Sequence, residues 1–443
     1  MNRTSLLCSL LLAAACGGHK PAPVVADKPA DKPTKPAEAP TPPPDPALLA
    51  RQAFSNPGGM WMPSQMTLPQ HLEVFGRLGV RVDPHLLADP LSDPLAAVVS
   101  LGGCTASFVS PDGLIVTNHH CVQGALQLNS TPQDNLVENG FVAKARTDEK
   151  SAGPAQRVMV AQAIHDVTKQ MRDGLDQIKD PVARKDEQEK RLKGLTAACE
   201  KDRPGIRCQV SSYFRGDLYQ ITEFLELRDI RLVYVPARSV GNYGGEIDNW
   251  AWPRHTGDWS FYRAYVSKDG KPADFAADNI PYHPAHFLKI AREGLKPADF
   301  VMITGYPGST NRTATAAELH HDVEWYYPYL IAYLKERYAL LEAHLKDGGE
   351  TAIKAGVAKQ GIQNGLEKYE GILAGLTKQK DLLERKDALE AKVAAYAAQP
   401  GHEAVKAALG KLAALESDQR HSARVDMDRG IAFGGSRLLG TAV

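Results

Sequence analysis

Residues 103–121 read GCTASFVSPDGLIVTNHHC. Thr105-Ala106-Ser107-Phe108-Val109 is a strand pattern, Ser110-Pro111-Asp112-Gly113 carries turn chemistry, and Leu114-Ile115-Val116-Thr117 returns as a second strand pattern. Strand patterns on both sides of a Pro-Asp-Gly turn predict a β-hairpin. The hairpin ends in Asn118-His119-His120-Cys121, which places two histidines where a strand gives way to a turn.

Further strand patterns lie at 230–235, 259–266 and 300–304, the last followed by Gly305-Tyr306-Pro307-Gly308. The stretch 144–201 is charged and helix-prone, and is expected to form an exposed excursion between strands. From about residue 314 the period changes. Leu330, Leu334, Tyr338, Leu341 and Leu345 follow helical spacing, as do Leu366, Tyr369, Leu373 and Leu376, and then Val405, Leu409 and Leu412. Gly348-Gly349 and Gln399-Pro400-Gly401 separate these helices. Strands followed by a block of helices predict a mixed fold with a β part and an α part.

The chain of 443 residues carries 52 basic and 52 acidic side chains, which argues against a nucleic-acid binder. Its start is Met1-Asn2-Arg3, an apolar run over 6–15, and Ala13-Ala14-Ala15 before Cys16. One positive charge, a short apolar core and small residues predict a signal peptide over 1–15, with Cys16 as a lipidation site at the new N-terminus. Residues 16–46 are proline-rich and predict an extended tether. Export to the periplasm or cell envelope follows, with membrane contact only through Cys16. Beyond the leader, Cys104, Cys121, Cys199 and Cys208 form an even set, expected as Cys104–Cys121 and Cys199–Cys208 disulfides in an oxidising compartment. A four-cysteine zinc site is the alternative, but the spacings of 17 and 9 are not those of C-x-x-C pairs.

Two segments can carry chemistry. In the first, a histidine at the strand end can act as a general base, because its ordinary pKa lies near working pH. A structural histidine pair is the plainer reading, and a metal set of His119, His120 and Cys121 is disfavoured because adjacent strand side chains diverge. In the second, residues 242–260 read NYGGEIDNWAWPRHTGDWS, with Trp250, Trp252 and Trp259 close together and Asp258 just before a strand. Asp258 can orient an imidazole, or simply cap an aromatic corner. A third cluster, His320-His321-Asp322-Val323-Glu324, lacks H-E-x-x-H spacing and is expected at a helix start facing solvent. Nothing here calls for a cofactor or a metal.

The hairpin string, followed by DNWAWPRHTGDWSFYR (248–263) and GYPGSTNR (305–312), resembles the S46 family of bacterial dipeptidyl aminopeptidases from about Gly59 into the helices. That resemblance implies a serine peptidase: the first barrel of a chymotrypsin-like double barrel over 47–312 and a helical cap domain over 313–443. It implies His120 as general base and Asp258 as its orienting acid. It further implies Asn249 and Trp250 as the pocket for the α-amino group of an oligopeptide with a free N-terminus, with Asp248 and Arg254 as supporting partners. An amide oxygen can accept from an ammonium group and an indole face can attract it. A homodimer is a further expectation.

The family's nucleophile sits in a Gly-Asn-Ser-Gly-type turn after the helices, and no such string occurs here. Ser260, Ser267, Ser309, Ser417, Ser422 and Ser436 follow Asp258 or lie beyond it, and Ser436 in Phe433-Gly434-Gly435-Ser436 is the nearest candidate. The expectation is a chain without the second barrel and with little peptidase activity alone. The competing expectation is a non-catalytic, surface-anchored peptide-binding lipoprotein.

Overall fold

The turn chemistry at 110–113 closes as expected in the computed structural model, which describes residues 45–54, 60–131, 133–245, 250, 253–307, 314–379 and 381–435. Ser110 Oγ accepts from the backbone N–H groups of Asp112 and Leu114 at 3.2 and 3.1 Å, and Gly113 takes φ +68°. A Cβ on Gly113 would stand 2.7 Å from Tyr282 O and 2.9 Å from Ala264 O, so glycine lets the neighbouring backbone close over the turn.

Among the described residues eleven strands form one antiparallel sheet. They are β1 (Val98–Ser100), β2 (Thr105–Phe108), β3 (Leu114–Thr117), β4 (Phe141–Val142), β5 (Lys150–Ser151), β6 (Val158–Asp166), β7 (Ile206–Tyr213), β8 (Leu218–Leu227), β9 (Asp229–Val235), β10 (Ser260–Val266) and β11 (Ile280–Pro281). Their order is β4-β9-β10-β3-β2-β1-β6-β8-β7, with β11 on β10 and β5 on β9. The inward positions, among them Val99, Phe108, Ile115, Val158, Leu227, Ile230, Leu232 and Tyr262, make one core. Burying such side chains away from water is the main force that holds the layer.

Two expectations need correction. The 144–201 stretch is not wholly a helical excursion: Val158 and Val160 point inward from β6, which pairs along β8, and only the later part is the long helix Pro181–Glu200. Asp180 caps that helix through Val182 N–H and Ala183 N–H, and the Cys199–Cys208 disulfide ties its end to β7. Residues 300–304 are not a strand. Val301 is 62% and Ile303 98% exposed, and the segment is held instead by Tyr306 N–H donating to Thr105 Oγ1 at 2.8 Å. A β-prone apolar run needs a ladder partner before it becomes a strand, and none pairs with this segment among the described residues.

The helical spacing after 314 matches the helices Ala316–His321, Tyr327–His344, Gly349–Lys378, Asp381–Ala397 and Glu403–Gly435. Tyr327, Ile331 and Leu366 are buried together, with Leu334, Tyr338, Tyr369, Leu373 and Leu376 packed around them. Among the described residues no helix is long and apolar enough to cross a membrane.

A π-helical turn, Asp322–Tyr326, joins the first two of these helices. Burial, reinforced by the charge of Glu318, pushes the Asp322 carboxyl up to about 6. A folded-state value above the unfolded one of about 3.9 means the native state binds the extra proton, so stability falls as pH rises between those values. Asp322→Asn keeps the shape and removes the charge. It is expected to raise stability at pH 7.5 by about 1–2 kcal/mol in urea unfolding, with the gain disappearing near pH 4.

Candidate active site

β3 and β10 pair with Thr117 opposite Ser260. Continuing that register past the end of β3 brings 118–120 beside Asp258, although 138 residues separate His120 from it. The Asp258 side chain is 9% exposed and the His120 ring 55% exposed. His120 Nδ1 lies 2.9 Å from Asp258 Oδ2 and 3.2 Å from Oδ1, and His120 N–H donates to Oδ1 at 3.1 Å. Asn118 Nδ2 donates to Oδ2 and to the Asp258 carbonyl, both at 3.1 Å, and Arg254 stands 3.6 Å from Oδ2.

Burial alone would raise the Asp258 pKa. The hydrogen bonds from His120 and the charges of His120 and Arg254 outweigh it and hold the carboxyl below the usual range. An ionised carboxylate accepts only, so Nδ1 facing it carries the proton and Nε2 keeps its lone pair. That is the tautomer a general base requires.

The Cys104–Cys121 disulfide forms as expected and anchors the residue after His120 to the turn before β2. It also removes the metal reading. Cys104, His120 and Cys121 are the one ligand-spaced cluster among the described residues, but their two sulfurs are bonded to each other. His119 is fully buried and meets Gln123 rather than a second ligand. The 320–324 cluster does not assemble a ligand set either. His320 Nε2 meets Asp387 at 3.1 Å and His321 stacks on Trp325, both at the last turn of a helix rather than its start.

His120 and Asp258 open onto a cavity of about 240 Å³ that is also lined by Gln123, Asn242, Arg254 and, from the helix Gly349–Lys378, Gln360 and Asn364. Trp250 is 56% exposed and its indole Nε1 donates to Asn364 Oδ1 at 2.8 Å. Trp259 stacks on Tyr234 with 5.0 Å between ring centroids and serves the aromatic corner. Asn249, Asp248 and Cys16 lie outside the described residues, as do Ser309 and Ser436. Ser260 is fully buried, so its hydroxyl cannot reach a substrate. Asn364 was not legible in the sequence, because no local pattern ties a helical asparagine to an indole 114 residues earlier.

The Peptidase S46 family profile matches residues 56–442. An Asp/Glu-specific dipeptidyl-peptidase of Shewanella putrefaciens is 43% identical over 317 residues, which cover 72% of this chain and 43% of that protein. Dipeptidyl-peptidase 7 of Capnocytophaga gingivalis is 34% identical over 68% of this chain and 42% of its own length. Among solved structures, Porphyromonas endodontalis DPP11 in complex with the dipeptide Arg-Asp superposes with a TM-score of 0.74 at 30% identity, covering 82% of this chain and 53% of that one. The chain therefore spans about half the length of the relatives it matches.

Proposed function

The chain belongs to the peptidase S46 family, and on that footing we propose that it carries the base-and-acid half of a serine-type dipeptidyl-peptidase that releases dipeptides from peptide N-termini. The observation that carries this reading is the 2.9 Å His120 Nδ1–Asp258 Oδ2 contact at the wall of a cavity shared with Asn364, the partner of Trp250. His120 is the general base and Asp258 its orienting acid. Asn249 and Trp250 receive the substrate's α-amino group, whose capture at a fixed distance from the cut restricts the product to a dipeptide. The sheet is the first barrel of a chymotrypsin-like pair, the helices after 313 its cap. The nucleophilic serine and oxyanion hole come from the part of the family's length that this chain does not span. The leader exports the protein, and Cys16 carries a lipid anchor.

The test is binding. The 443-residue chain is expected to bind the dipeptide Arg-Asp, and to lose at least about tenfold in affinity when the α-amino group is acetylated, since a charge-assisted contact is worth roughly 1.5–3 kcal/mol. Equal affinity for both forms would end this reading. Trp250→Ala is expected to weaken binding of the free dipeptide by about tenfold through loss of the cation–π face. A non-catalytic peptide-binding lipoprotein shares the pocket, and a fluorophosphonate probe separates the two once the remaining part of the family's length is supplied beside this chain: labelling of a serine there favours the enzyme, binding without labelling the binder.

A further inference from the structure

His119 is wholly buried, whereas the His120 ring is 55% exposed. One of its contacts is with backbone. A Cβ placed on Gly241 would stand 2.3, 2.4 and 2.6 Å from Cδ2, Cγ and Nε2 of the His119 ring. No real side chain tolerates such distances, so the imidazole lies directly on the Gly241 backbone and only glycine fits beneath it. The Gln123 amide nitrogen lies 3.2 Å from His119 Nδ1, and Gln123 itself lines the cavity.

From Gly241 the contacts run back to the site. Gly257 N–H donates to Val240 O at 2.9 Å, and a Cβ on Gly257 would stand 2.9 Å from Val240 Cγ1. Gly257 directly precedes Asp258, whose carboxylate accepts from the backbone and ring of His120. The circuit therefore closes: the His119 ring to Gly241, Val240 to Gly257, Asp258 to His120, and His120 to His119 by the peptide bond. Two glycines stand at two points of close approach in it, Gly241 under the His119 ring and Gly257 against Val240.

We propose that His119 is a positioning residue, whose buried imidazole pins the glycine turn at Gly241, and through it the Asp258 carboxylate, against the turn that bears His120. The role rests on reading His120 as the base. Burial lowers the His119 pKa, opposed by the charge of Asp258 and assisted by those of His120 and Arg238, the last paired with Glu138 at 2.6 Å. A neutral ring suits a packing pin lying on backbone.

A double-mutant cycle on the full chain tests this. Gly241→Ala drives a methyl into the ring. It is expected to move or abolish the hydrogen-bonded Nδ1 proton resonance of His120 and to weaken binding of the dipeptide Arg-Asp roughly tenfold. In a His119→Ala background the methyl occupies the space the ring has left, so adding Gly241→Ala should change either readout less than about twofold. Equal effects of Gly241→Ala in both backgrounds would overturn the proposal, as would a folded Gly241→Ala protein with both readouts unchanged. If Gly241→Ala does not fold, a folded double variant supports the pin and an unfolded one refutes it. If the parent chain binds no dipeptide, the peptidase reading fails while the His120 resonance still decides the role of His119.

Discussion

Asp258→Ala is expected to destabilise the chain by about 2–4 kcal/mol and to erase the hydrogen-bonded Nδ1 proton signal of His120. The Asp258 carboxylate accepts from three groups: Asn118 Nδ2, His120 N–H and His120 Nδ1. Hydrogen bonds to a charged group contribute about 1.5–3 kcal/mol each in context, and they do not add fully because the three donors sit on one turn. His120 is half-exposed, so its donors recover water, and this keeps the loss below the sum. The pH dependence has a definite sign. The folded carboxyl titrates below its unfolded value of about 3.9. Its contribution is therefore fully present above that value and is lost as pH falls through the folded one. Urea unfolding of parent and variant should differ at pH 7 and converge in strong acid; a constant difference would place the carboxylate outside the folded-state network. Where the family's serine is present, the same replacement removes the orientation of the base, a loss on the order of 10⁴-fold in rate in triads of this kind.

Asp229→Ala is expected to cost about 3–5 kcal/mol, the penalty for leaving a buried charge unpaired. Asp229 is fully buried and Arg231 is 6% exposed on the same face of β9. Arg231 Nε donates to Asp229 Oδ1 at 2.9 Å and Nη2 to Oδ2 at 2.6 Å, the two-pronged geometry that suits a guanidinium. Asn279 Nδ2 donates to Oδ2 at 2.9 Å, Arg231 also donates to Ala276 O at 2.8 Å, and its guanidinium lies 3.8 Å from the Tyr265 ring centroid. The network thus staples the loop after β10 to β9. Asp229→Ala strands the guanidinium among aromatic rings, whereas Asp229→Ala with Arg231→Met removes both charges and should recover much of the loss. Equal destabilisation by the single and double variants in thermal unfolding would refute the account.

Local chemistry was legible along the chain wherever the interaction partner is near in sequence. The turn at 110–113, the helical stripes at 330–345 and 366–376, and the Cys199–Cys208 bridge each depend on residues a few positions apart. Spacing alone said nothing of His120 with Asp258; family resemblance named that pair, because side chains that meet across a sheet leave no periodic trace.

Strand pairing decided the rest. β10 lies between β9 and β3, and its pairing with β3 sets Asp258 beside His120. The apolar 300–304 segment finds no such neighbour among the described residues, whereas the charged 144–201 stretch yields β6 because β8 is there to receive it. Asn364 reaches Trp250, and His119 lies on Gly241, only once the chain has closed on itself. Propensity and period are properties of a single segment. A ladder, a cavity or a close backbone approach is a property of two segments, and its free energy comes from burial and hydrogen bonds that exist only after both are in place.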